Sequence, residues 1–178
     1  MRVLHVGLGP VGLRIASDLA ERGLGRSIGA IDPAADLSGR ALPEIASATS
    51  ADVAVLPDLA HFRHWSDVDA VVVATGSDLS ACAPTFRALL DRGLTVVSTC
   101  EELVWPWLRH PELADELDRL CRNSGGRLLG TGVNPGFLMD TLAVACSAVC
   151  RDVRAVHVWR IQDASDRRVP FQRKIGAG

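Results

Sequence analysis

Val3-Leu4-His5-Val6-Gly7-Leu8-Gly9-Pro10-Val11-Gly12 decides the reading of this chain. A short apolar run breaks into Gly-x-Gly-x-x-Gly. An amphipathic stretch then follows, with Val11, Ile15 and Leu19 recurring every fourth residue. The pattern is strand, tight turn, helix. Gly7 permits the turn, Gly9 lets a pyrophosphate approach the backbone, and Gly12 lets the helix pack close to the strand. Free N–H groups at the start of such a helix, together with its dipole, favour phosphate charge. Asp32 ends the next apolar run, Ile28-Gly29-Ala30-Ile31, twenty residues after Gly12. A carboxylate there accepts hydrogen bonds from an adenosine ribose. The candidate dinucleotide contacts are therefore Gly7, Gly9, Pro10, Val11, Gly12 and Asp32. The competing reading is a structural turn that binds nothing.

The rest of the composition narrows the class. The chain has 178 residues and a net charge of −2. Neither sign of charge clusters, so a nucleic-acid or membrane role is not expected. No apolar run approaches the roughly 18 residues that span a bilayer. The N-terminus enters a strand directly, which predicts no signal peptide and a cytoplasmic protein. Five cysteines, Cys82, Cys100, Cys121, Cys146 and Cys150, are scattered without Cys-x-x-Cys and read as reduced, mostly buried thiols. His5 lies inside the first strand and reads as a core residue. His61, His64 and His110 show no metal-ligand spacing, and no metal site is expected. Lys174 is the one lysine against eighteen arginines, so lysine chemistry has almost no candidate.

Six apolar runs recur: Val3–Val6, Ile28–Ile31, Val53–Leu56, Ala70–Ala74, Thr95–Ser98 and Arg127–Gly130. Most are continuously apolar, as parallel strands covered on both faces should be. Cys82, Phe86, Leu89 and Leu90 mark one intervening helix, and Leu113, Leu117, Leu120 and Cys121 another, opened by Pro111 and ended by Gly125-Gly126. The segments around Glu44–Ala48 and Leu59–Trp65 show only weak helical patterns. The expected fold class is α/β, a doubly wound parallel (Rossmann) sheet over residues 1–150. Phe137–Cys150 reads as a helix, and 153–161 as a strand that would open a second α+β domain, incomplete within 151–178. Such a strand has nothing to pair with.

The loops after the later strands carry the remaining candidates. Thr75, Gly76 and Ser77 are small enough to let a nicotinamide ribose lie against the backbone; an ordinary loop with a capping Ser77 or Asp78 fits equally well. Glu101 and Glu102 follow the fifth strand. One can act as general base or hold an ammonium group, although glutamates also favour the first turn of a helix. Trp105 and Trp107 either wall a pocket or pack in the core. Asn134, Pro135 and Gly136 form a tight loop after the sixth strand that can bind a carboxamide, or simply turn the chain.

The loop Gly130–Asp140, the loop Thr99–Leu103 and the tail Gln162–Gly178 together resemble 2,4-diaminopentanoate dehydrogenase and the native amine dehydrogenases, within a wider group similar to dihydrodipicolinate reductase. The resemblance implies reversible, NAD(P)-dependent deamination of a small amine to a ketone plus ammonia, through an imine. It places the active-site glutamate on Glu101 or Glu102. It also implies a longer protein whose second domain supplies much of the substrate pocket and a dimer interface, so a second copy or another chain would have to complete this one. Asp32 favours NAD, and Arg40 is the residue placed to offset it for NADP. The dihydrodipicolinate reductases carry a histidine pair and a lysine in the strand matching His157–Gln162. Here Val158 and Trp159 stand instead, with no lysine, which argues against that activity. The alternatives are a dinucleotide-binding module without turnover and an imine or carbonyl reductase of the same fold.

Overall fold

The computed structural model describes residues 1–49, 52–161, 163, 165, 172 and 176. In chain order the regular elements are β1 (Arg2–Val6), α1 (Pro10–Glu21), β2 (Arg26–Ile31), β3 (Val55–Leu56), β4 (Ala70–Val73), α2 (Leu79–Leu90), β5 (Thr95–Ser98), α3 (Pro111–Ser124), β6 (Arg127–Gly130) and α4 (Leu142–Ser147). All strand pairings are parallel, in the order β3-β2-β1-β4-β5-β6. This is the doubly wound Rossmann order. The connection reverses direction between β1 and β4, and ligands bind at that switch point, outside the carboxyl ends of the strands.

Alternation along β1 explains the two layers. Leu4 and Val6 belong to the core on the α2 and α3 side, with Phe86, Leu89, Leu90, Val96 and Leu117. The opposite face packs Leu8, Ala16, Ala30, Leu42, Val53 and Val55. Successive side chains of a strand point to opposite faces, which puts Val3 and His5 on the α1 side. His5 is buried there, as its strand position predicts, and its Nε2 lies 3.1 Å from Ser27 Oγ. Burial pushes its pKa down to about 4 from 6.5. Between those values the unfolded chain binds a proton that the folded chain refuses, so stability falls as pH drops. From pH 7 to pH 4.5 the expected loss is about 2 kcal/mol, read from urea melts. His5→Gln should flatten that slope; an unchanged slope would exclude His5 as its source.

Some segments depart from the sequence reading. The third strand is Val55–Leu56, shorter than Val53–Leu56, because the Val53 carbonyl accepts Leu42 N–H at 2.7 Å and Ala54 bridges Ala41, so both residues pair with the connection and not with β2. The weak helices are single 3₁₀ turns, at Leu42–Glu44, Leu59–His61 and Trp65–Asp67. The helix expected over Phe137–Cys150 is instead a π-helical segment, Val133–Thr141, running into the short α4. Phe137 N–H bonds the Gly132 carbonyl five residues back, and Gly136 sits at φ +118°, outside the α region. The expected strand over 153–161 is absent: residues 152–161 form no regular element and are exposed. Among the described residues no strand lies beside them to form a ladder. Most of the tail Gln162–Gly178 lies outside the described residues.

Candidate functional site

Parallel order brings five loops to one edge of the sheet, and the backbone shapes the first of them. Gly7 N–H bonds the Ile31 carbonyl at 2.8 Å, and its φ of +90° suits only glycine. A Cβ at Gly7 would stand 2.7 Å from the Ala74 carbonyl oxygen, and one at Gly12 2.0 Å from the Gly7 carbonyl oxygen. These two glycines hold β1, β4 and α1 in close contact. Gly9 is different: a Cβ there would meet nothing within 4 Å. Its missing side chain leaves open space on the loop's outer side. Pro10 begins α1, and no side chain caps the helix N-terminus, so its first N–H groups face outward without a protein side chain. Val11 is exposed beside them.

Asp32 closes the next position along the edge. Its Oδ2 accepts Leu8 N–H at 2.6 Å and its Oδ1 accepts Ala34 N–H at 2.9 Å. The tip of β2 is thereby tied to the glycine loop, and each carboxylate oxygen retains a lone pair. Arg40 lies on the connection to β3, and its Nε donates to Glu44 at 3.3 Å.

Across the switch point, Thr75, Gly76 and Ser77 follow β4. Asp78 caps α2 by accepting Ala81 N–H at 2.7 Å, which makes it the capping residue of that loop. The Ser77 carbonyl accepts Glu102 N–H at 3.2 Å and the Cys100 thiol at 3.3 Å. Thr75 Oγ1 and Cys82 Sγ share a contact at 3.6 Å.

The loop after β5 holds Glu101 and Glu102 in one 3₁₀ turn, Glu101–Leu103. Both oxygens of Glu102 are engaged. Oε2 accepts Leu79 N–H at 3.0 Å and His110 Nε2 at 2.9 Å, and Oε1 accepts Arg109 Nη1 at 3.2 Å. The Leu79 N–H, then His110 and Arg109, hold this carboxyl below the usual glutamate range. Glu102 therefore joins the start of α2 to the start of α3. Glu101, half-buried, is its neighbour on the same turn.

The last loop is pressed against this one. A Cβ at Gly130 would lie 2.8 Å from Leu103 C and Val104 N, and Thr131 N–H bonds the Ser98 carbonyl at 2.9 Å. Asn134, Pro135 and Gly136 open the π-helical segment, and Gly136 N–H bonds Asp140 Oδ2 at 2.8 Å. Asn134 is exposed at this edge. Trp105 is 69% exposed and Trp107 44%, so neither is a core residue; their rings stand 5.2 Å apart, and Trp107 Nε1 donates to Asp115.

Hydrogen bonds thus join Asp32 to the glycine loop, and the Thr75–Ser77 loop to the glutamate loop. Arg40 is turned to Glu44 rather than to either group. Sequence reasoning missed His110 as a partner of Glu102; its place directly before Pro111 at the opening of α3 was the available signal. It also missed that Cys82 and Cys100, both buried, both touch the Thr75–Ser77 loop, Cys82 at 3.6 Å from Thr75 Oγ1 and Cys100 donating to the Ser77 carbonyl at 3.3 Å. Nothing in their spacing announces those contacts.

No family model matches the chain. It is 33% identical over 97 residues to the 2,4-diaminopentanoate dehydrogenase of Acetoanaerobium sticklandii, an alignment covering 54% of this chain and 28% of that protein. The amine dehydrogenase of Mycobacterium smegmatis superposes with a TM-score of 0.75 at 28% identity, over 85% of this chain and 45% of that one. The WlbA (WbpB) dehydrogenase of Thermus thermophilus, solved with NAD and α-ketoglutarate, gives a TM-score of 0.59 at 20% identity, over 83% and 46%, and shares the fold. The chain spans less than half the length of each. The chain is thus similar in sequence to a 2,4-diaminopentanoate dehydrogenase, and in sequence and fold to an amine dehydrogenase.

Proposed function

We propose that this chain is the dinucleotide-binding part of an NAD-dependent dehydrogenase that reversibly deaminates a small amine to a ketone and ammonia. In that reading residues 1–150 are the Rossmann domain and 151–178 begin a second domain. A second copy or another chain supplies the rest of the pocket. The observation that carries the proposal is the placement of the Gly7–Gly12 loop and of Glu101 on one sheet edge, either side of the switch point.

The residues present fit a dinucleotide. Gly9 leaves room for a pyrophosphate, the uncapped start of α1 offers N–H groups to it, and Asp32 keeps lone pairs for ribose hydroxyls. Thr75, Gly76 and Ser77 would line the nicotinamide ribose, and Asn134 with the backbone at Pro135 and Gly136 would meet the carboxamide. NAD is favoured over NADP. The Asp32 carboxylate repels a 2′-phosphate, and the Arg40 guanidinium that could offset it is paired with Glu44. A nicotinamide held by these residues would supply the hydride acceptor or donor.

The protein's work is orientation and charge. Glu101 is assigned the reacting role. Its carboxylate would take a proton from the substrate ammonium, so that the neutral amine loses hydride and becomes an iminium; after giving that proton to solvent, it would take one from the water that adds to the iminium carbon, and the protonated nitrogen then leaves as ammonia. Glu102 is assigned a positioning role, because both its oxygens are already held. The cytoplasm is the setting of this reading; no helix of the described residues is long and apolar enough to cross a membrane. The exposed apolar side chains of Val133, Phe137, Val144, Trp159 and Ile161 support an interface with a completing partner, the dimer of this reading.

The same exposed side chains favour a second reading, a dinucleotide-binding module without turnover. Calorimetric titration with NADH and NADPH, each with and without ammonium and a short ketone, separates the two. The enzyme reading expects NADH to bind about tenfold or more tightly than NADPH, and more tightly still with both co-substrates. NADH binding indifferent to ammonium and ketone would leave only the module. Ketone dependence without ammonium dependence would instead mark a carbonyl reductase.

A further inference from the structure

We propose that His110 is a positioning residue for the nicotinamide half of the dinucleotide site, acting through Glu102 on the Thr75–Ser77 loop. The inference rests on the dehydrogenase reading and deepens it. Glu102 ties down the end of that loop twice. Its backbone N–H donates to the Ser77 carbonyl at 3.2 Å, and its Oε2 accepts Leu79 N–H, at the first residue of α2, at 3.0 Å. The second tie depends on where the carboxylate points. His110 fixes that direction, because its Nε2 lies 2.9 Å from the same Oε2. The carboxyl is held below the usual glutamate range; once ionised it only accepts, so the ring nitrogen donates.

The imidazole springs from a fixed backbone. His110 N–H bonds the Pro106 carbonyl at 2.8 Å, and its carbonyl accepts Ala114 N–H at 2.8 Å in the first turn of α3. Pro111 follows directly and restricts the residue before it. The other side-chain partner of Glu102 is less well placed. The Arg109 side chain is 73% exposed, against 25% for His110, so solvent screens its pairing. Without the His110 donor, the carboxylate can follow Arg109 away from Leu79, and the loop keeps one tie to Glu102 instead of two. The adenosine half is anchored independently. Asp32 holds Leu8 and Ala34 on the far side of the switch point. The defect should therefore stay at the nicotinamide end.

The test titrates the whole chain with NADH and with ADP, which carries adenosine and two phosphates but no nicotinamide or second ribose. Amide exchange is followed on the nucleotide-free protein. His110→Phe keeps a ring and removes the donor; His110→Gln keeps a donor nitrogen close to the place of Nε2. The phenylalanine variant should bind NADH about tenfold more weakly and ADP within about twofold of the parent. Its Leu79 amide should exchange about tenfold faster. The glutamine variant should bring both readings back to within about threefold. Arg109→Ala should move each of them less than His110→Phe does. A merely structural role would lower the melting temperature and weaken both ligands together. Equal loss of NADH and ADP, unchanged NADH affinity, unchanged Leu79 exchange, or no rescue by glutamine would each overturn the proposal. A parent chain that binds neither ligand would overturn the dehydrogenase reading and this role with it. Leu79 exchange needs no nucleotide, so failure of the clamp itself is told apart from failure of that reading.

Discussion

Gly9→Val should abolish measurable dinucleotide binding while leaving the fold intact. Gly9 has φ −63° and ψ 176°, a conformation open to any residue, so valine introduces no backbone strain there. Its Cβ would meet nothing within 4 Å of protein, so no packing is disturbed. What it does enter is the open space in front of the uncapped α1 N-terminus, where the pyrophosphate would lie. We expect NADH affinity to fall more than about 100-fold, close to 3 kcal/mol, with a melting temperature within about 2 °C of the parent. Gly12→Ala should do the reverse in stability. Its Cβ would stand 2.0 Å from the Gly7 carbonyl oxygen, so α1 must move off β1. That overpacking should cost about 3 kcal/mol and be plain in a thermal melt. If Gly9→Val keeps full NADH affinity, the loop is a structural turn and the nucleotide assignment fails with it.

The spacing of the glycines already assigns packing to Gly12 and room to Gly9, and the structure shows that difference as a 2.0 Å approach against open space. The difference shows what was legible. β1, α1, β5 and β6 could be read because their signals are local: continuous apolar runs, a glycine turn, a proline at a helix start. The six-strand parallel order follows from alternation and from the handedness of crossovers. Pairing partners set the rest. β3 is two residues long because Val53 and Ala54 pair with Leu42 and Ala41 instead of β2, and 152–161 is irregular with no strand beside it among the described residues. The segment after β6 was misread for a different reason: Val133–Ser147 has helical composition, but Gly132, Pro135 and Gly136 start it in a wider turn. At the site, adjacency hid the contacts on which the proposed division of labour rests. Glu101 and Glu102 are equivalent in spacing; what distinguishes Glu102 is contact with Leu79, Arg109 and His110, which chain order does not reveal.

That distinction predicts opposite outcomes for two isosteric variants. Glu101→Gln keeps the shape of the side chain and removes the charge that would hold an ammonium and accept a proton. Amine oxidation, followed by NADH absorbance, should fall by about 100-fold or more, with NADH affinity within about twofold of the parent. Glu102→Gln should act on the scaffold instead. The amide oxygen can still accept Leu79 N–H, but the pairing with His110 and Arg109 loses its charge, so the turn that carries Glu101 loosens. We expect a lower melting temperature and a turnover loss smaller than that of Glu101→Gln. The pH dependence tells the two apart as well. The Glu102 carboxyl sits below its ordinary value of 4.5 in the fold, so its contribution to stability is present above that value and is lost as pH falls through the lowered one. Glu102→Gln should erase that acid limb of the stability profile, and Glu101→Gln should leave it. If Glu102→Gln proves inactive with an unshifted melt while Glu101→Gln turns over normally, the roles are exchanged. Full activity in both would remove the glutamate from the mechanism altogether.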